Sequence, residues 1–85
     1  MLEGLGKLFW IVDDSHPEMS MGFIRADEIN PNTGKGYSID LNDEDPKLEK
    51  VGISLKKTHT GTAVTFVAKK VPGHESYYAI KVAKA

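Results

Sequence analysis

Short runs of alternating apolar and polar residues, cut at intervals by Gly, Pro, Asn and Asp, restrict this chain to small β-sheet folds. The first run, Lys7–Val12, is rich in Leu, Phe, Trp, Ile and Val and is predicted to be a strand, with Gly4 and Gly6 before it and Asp13-Asp14 after it. Residues Asp13–Glu18 are polar, contain Pro17 and read as a loop. A second strand is predicted over Met21–Asp27, with Phe23 and Arg25 on one face and Ile24 and Ala26 on the other. Asn30–Gly36 has the composition of a hairpin loop, since Asn-Pro starts turns and glycine accepts positive φ. A third strand is predicted over Tyr37–Leu41, followed by a break at Asn42–Pro46.

Residues 47–60 fit two patterns. Leu48, Val51 and Leu55 have near-helical spacing, whereas Val51, Ile53 and Leu55 have strand spacing. Gly52 weakens the helix, which favours an irregular segment with a short strand. The fourth strand is predicted over Thr62–Lys69, with Val64, Phe66 and Ala68 on one face. After a Pro72-Gly73 turn, the last strand spans Tyr77–Ala83, with Tyr78, Ile80 and Val82 sharing a face. Five short strands at turn spacings of about 10–15 residues predict an all-β barrel or sandwich. A barrel is preferred because closure removes the open edges of a small sheet.

The chain has 85 residues, enough for a single domain over 1–85. A domain of this size buries only about 60–65% of its unfolded surface, so its core is thin. There is no cysteine, which excludes disulfides, thiolate metal sites and thiol nucleophiles. The longest apolar run, Leu8–Val12, is too short to cross a membrane or to form a signal-peptide core. No Asn-x-Ser/Thr acceptor is present. A cytosolic protein is expected, of cellular, viral or phage origin.

The net charge of −1 conceals a split. Residues 1–46 carry ten Asp/Glu against three Lys/Arg, and residues 47–85 carry eight Lys against two Glu. Such asymmetry fits either a polyanionic partner or two halves that attract each other in one fold.

Catalytic chemistry finds little support. His16, His59 and His74 lie in predicted loops without a nucleophile beside them, and the chain is short for a dry cleft. No enzyme activity and no cofactor are expected. Asp13, Asp14, His16 and Glu18 are metal-ligating types, but their spacing matches no defined site, and a solvated loop is the reading preferred. Thr33-Gly34-Lys35-Gly36 lacks the preceding glycine and the following Ser/Thr of a phosphate-binding loop. It reads as a turn with Lys35 at its tip. Seven aromatic residues are more than a core this size uses. Trp10 and Phe23 either share an exposed face, forming a platform for stacked bases, or Trp10 anchors the core.

Taken in order, several blocks resemble the cold-shock domain. Gly6-Lys7-Leu8-Phe9-Trp10-Ile11 is similar to the opening GKVKWF pattern of that family. Met19-Ser20-Met21-Gly22-Phe23-Ile24 is similar to its KGFGFI motif, and Tyr37-Ser38-Ile39-Asp40-Leu41 to its VFVHF motif. Gly61-Thr62-Ala63-Val64-Thr65-Phe66 is similar to its GQAVSF strand, and Ala79-Ile80-Lys81-Val82 to its closing strand. The resemblance implies a five-stranded oligonucleotide/oligosaccharide-binding (OB) barrel that binds single-stranded RNA or DNA. It implies that Leu8, Ile24, Ile39, Val64, Phe66 and Val82 fill the interior, that Trp10 and Phe23 stack on bases, and that Met21 offers a soft contact in place of an aromatic ring. Ser38 and Asp40 stand where the family has stacking Phe and His, and Asp40 opposes phosphate. Thr33–Ser38 also resembles the Gly-Lys-x-Tyr stretch of small phage single-stranded-DNA-binding proteins, which are OB barrels of similar length.

The expected function is therefore weak, largely sequence-independent binding of single-stranded nucleic acid. The candidate contact residues are Lys7, Phe9, Trp10, Met21, Phe23, Arg25, Lys35, Ser38, Lys56 and Lys57. The alternative is a protein-interaction module on the same barrel, docking through Met19, Met21 and Phe23. Either role is compatible with a monomer or a dimer, and no membrane partner is expected.

Overall fold

The computed structural model describes residues 1–11 and 21–85, with the backbone alone for Ile11 and Met21. Six strands are described: β1 (Leu2–Ile11), β2 (Met21–Asn30), β3 (Lys35–Leu41), β4 (Glu49–Val51), β5 (Ala63–Lys70) and β6 (Tyr77–Lys84). They run in the order β3-β2-β1-β5-β6-β4, and a parallel pairing of β3 with β6 closes the sheet. Five strands thus form an OB-like barrel, and β4 flanks it as a short parallel addition to β6. One turn of 3-10 helix at Leu55–Lys57 is the only helical element described.

Alternation along β1 and β2 decides which side chains enter the barrel. The antiparallel register sets Leu8 opposite Ile24, Phe9 opposite Phe23 and Trp10 opposite Gly22. Leu8, Trp10, Ile24 and Ala26 face inward, and Lys7, Phe9, Phe23 and Arg25 face outward. The interior is completed by Ile39 and Leu41 from β3, Val64, Phe66 and Ala68 from β5, and Ala79 and Val82 from β6. Leu48 and Leu55 from the 47–60 segment join the same cluster. No charged or polar residue described is buried. All six residues expected to line the barrel are within it.

The elements differ from their predicted bounds in instructive ways. β1 begins at Leu2 rather than Lys7, because the two parts of this long strand serve different neighbours. Leu2–Lys7 pairs with β5, and Gly6–Ile11 pairs with β2. Gly6, expected to precede the strand, lies inside it where the pairings with β2 and β5 overlap. A Cβ there would lie 2.7 Å from Ile24 Cγ2 and 2.8 Å from the Arg25 carbonyl oxygen. The glycine marks a close backbone approach rather than a strand end.

The hairpin between β2 and β3 is tighter than expected, since both strands extend into the predicted loop. Asn30 organises it. Its carbonyl accepts from Thr33 N (3.1 Å) and Gly34 N (2.8 Å), and its Oδ1 accepts from Asn32 N (2.9 Å). Gly34 supplies the positive φ of 73° that the turn needs.

In β6 the predicted alternation fails. A register irregularity opposite Val67/Ala68 lets β6 pass an extra residue, so Ala68 pairs with Ala79 while Phe66 pairs with Val82. Ala79 and Val82 are buried, whereas Tyr78 and Ile80 are only half-buried. This bulge restores the inward face after one skipped position. The 47–60 segment is the irregular stretch with a short strand that Gly52 suggested.

Gly22 is required by the core. A Cβ at this position would overlap the Trp10 ring, which packs across the facing strand. Gly22→Ala is expected to lower stability by about 1–3 kcal/mol. The shift would be read as a lower urea midpoint at unchanged slope. An unshifted midpoint would show that the indole does not lie against this strand. Trp10 emission in the wild-type protein should also be blue-shifted and shielded from iodide, whereas ready quenching would place the indole in solvent.

Candidate nucleic-acid interface

The outward face of β1, β2 and β3 gathers most of the candidate contact residues. Phe9 and Phe23 are cross-strand partners, and their rings stack with centroids 5.1 Å apart and planes 12° from parallel. Both are half-buried, so each ring keeps surface exposed to solvent. The Arg25 guanidinium lies over Phe23, 5.9 Å from its centroid, within cation–π range. Lys7 is the partner of Arg25 across β1 and β2. Strand alternation therefore builds an aromatic pair flanked by two cations from four residues.

Trp10 is not part of this platform. It is 8% exposed and packs inside the barrel, so the expected Trp10–Phe23 platform is replaced by Phe9–Phe23. The reason is parity. Lys7 carries a charge that the core has no partner for, so Lys7 faces water, and Phe9, two residues on, faces water with it. Trp10 has the opposite parity and lies over Gly22. Period-two counting from Lys7 identifies Phe9 from sequence alone. Met21 stands opposite Ile11 in the backbone register, but its side chain lies outside the described residues. Met19, and the Asp13, Asp14, His16 and Glu18 group, also lie outside them.

Next to the aromatic pair, β3 and the β5–β6 loop enclose a groove of about 400 Å³. Arg25, Lys35, Ser38, Asp40, Glu75 and Tyr77 are among the residues that line it. Ser38 is the register partner of Arg25, and Asp40 that of Phe23. At the groove, Tyr37 and Tyr77 meet edge to face, 5.6 Å between centroids, across the β3–β6 closure. The closing loop is held by Val71 N donating to the Ser76 carbonyl (2.8 Å) and His74 N to the Val71 carbonyl (3.0 Å). Pro72-Gly73 reads from sequence as a turn and nothing more. Its place beside β3 comes from a pairing between residues almost forty positions apart.

Lys56 and Lys57 are not brought to this groove. Lys56 Nζ pairs with Glu44 at 3.6 Å. Lys57 lines a separate recess with His59 and Lys84. Of the ten candidate contacts, the face and its groove thus unite Lys7, Phe9, Phe23, Arg25, Lys35 and Ser38. The groove brings two carboxylates, Asp40 and Glu75, among these cations. The aromatic pair can accept a planar π system, the cations can meet phosphate, and the carboxylates can accept only hydrogen bonds.

No protein-family model matches the chain, and neither does any curated protein or solved structure. The OB-like character of the barrel rests on its strand order and closure.

Proposed function

We propose that this protein binds single-stranded RNA or DNA on the outward face of β1, β2 and β3, in the manner of a cold-shock-type OB module. The observation that carries the reading is the half-exposed Phe9–Phe23 stack with Arg25 over it and Lys7 beside it. Every base has a π face, so such a pair holds bases without regard to sequence. OB barrels bind single strands across the outer face of these strands and the neighbouring loops, and the Lys35 groove adjoins that path. Phosphates would meet Lys7, Arg25 and Lys35. Asp40 and Glu75 oppose them, which sets the affinity low.

Anisotropy of a labelled oligo-dT tests the reading. Phe9→Ala and Phe23→Ala are each expected to weaken binding by about 1–3 kcal/mol with the fold intact by circular dichroism. If both variants bind as tightly as the wild type, the pair is only a cross-strand contact that stabilises the sheet.

Salt gives an independent measurement. With three cations meeting phosphate, log K should fall against log salt with a slope of about −2. Lys35→Ala should flatten that slope by about 0.7. A slope near zero would remove the phosphate contacts from the reading.

A further inference from the structure

We infer that Asp40 makes this surface prefer guanine, an inference that rests on the stacking reading above. Asp40 is the register partner of Phe23, is exposed, and lines the groove beside the aromatic pair. Side chains at directly opposed positions have Cβ atoms about 4.5–5.5 Å apart. A base stacked on Phe23 therefore presents an edge to Asp40.

A carboxylate at that place repels phosphate and only accepts hydrogen bonds. What it can recognise is a base edge that donates. Guanine donates from two adjacent positions, N1–H and the exocyclic N2–H, which match the two oxygens of one carboxylate. Its O6, next along the same edge, needs a donor, and Arg25, Lys35 and the Ser38 hydroxyl share the groove. Adenine and cytosine each offer one amino donor beside a ring nitrogen that accepts. Thymine and uracil offer one N–H between two carbonyl oxygens, both of which face the carboxylate unfavourably. Guanine is the base whose donors and acceptor are all met here.

The test compares oligo-dT with oligo-dT carrying interspersed dG, by anisotropy at low salt with the full chain. The wild type is expected to bind the dG-containing strand about tenfold more tightly. Asp40→Ala should bind the two strands within about twofold of each other, with oligo-dT held at least as tightly as by the wild type. Asp40→Asn keeps the shape but offers one donor and one acceptor, a pair that an edge of every base can meet, so its preference for the dG-containing strand should shrink toward that of Asp40→Ala. Equal wild-type binding of both strands overturns the guanine preference and leaves stacking intact. A preference that survives in Asp40→Ala and Asp40→Asn also overturns it, because another group then reads the base. Binding of neither strand overturns the stacking reading, and the preference falls with it.

Discussion

The pairing of Trp10 with Gly22 holds the surface chemistry of this barrel in place. The indole packs across a position where any side chain would overlap it. That contact fixes the β1–β2 register, and the register fixes both faces. A slip of one residue by either strand would turn Lys7 or Arg25 into the barrel, where no polar partner waits, and would carry Leu8 or Ile24 into water. Burial of apolar side chains and exclusion of charge thus select the same alignment. Phe9 and Phe23 lie side by side on the outside as a consequence.

Where structure follows from period two, the sequence was legible. The separation of Phe23 and Arg25 from Ile24 and Ala26, and the shared face of Val64, Phe66 and Ala68, follow from alternation within single strands, whereas the interior set from Leu8 to Val82 was implied by the cold-shock resemblance. Trp10 shows how short motif similarity can mislead. The block resembling GKVKWF draws attention to the tryptophan, yet Lys7 three positions before it has the opposite parity. A lysine without a buried partner reports the outward face more reliably than a tryptophan does, because a charge is excluded from the core whereas an indole occurs both inside and at the surface. Gly6 misleads for a related reason. A glycine beside an apolar run reads as punctuation, but here it lies within β1 because the neighbouring strand leaves no room for a Cβ.

A closed barrel was expected because closure removes open edges, but the strands that close it were not legible. Closure rests on a parallel contact of two residue pairs, Ile39 with Tyr77 and Asp40 with Tyr78. No local pattern announces a pairing of that separation. The bulge in β6 belongs to the same problem, since it corrects the inward face only once β5 and β6 are aligned. The closure moves the β5–β6 loop to the side of β3, and that placement turns an open strand face into a groove. Half of the candidate site is therefore local in origin and half topological.

The charge split resolves along the same line. Both ion pairs described join an acidic residue of the first half to a lysine of the second, Asp43 with Lys50 and Glu44 with Lys56. Mutual attraction of the halves thus accounts for part of the asymmetry, although exposed pairs of this kind contribute little stability. The three cations of the acidic half, Lys7, Arg25 and Lys35, all lie on the aromatic face or in its groove. At physiological salt a charge is felt over only about 8 Å. A bound strand would respond to those three residues and to Asp40 and Glu75 beside them, rather than to the net charge of either half. The lysine-rich second half does not supply the proposed contacts: Lys50 and Lys56 are engaged by carboxylates, and Lys57 faces another recess. On the proposed reading, the local arrangement set by the β1–β2 register, rather than the charge split between the halves, decides where an anion would be held.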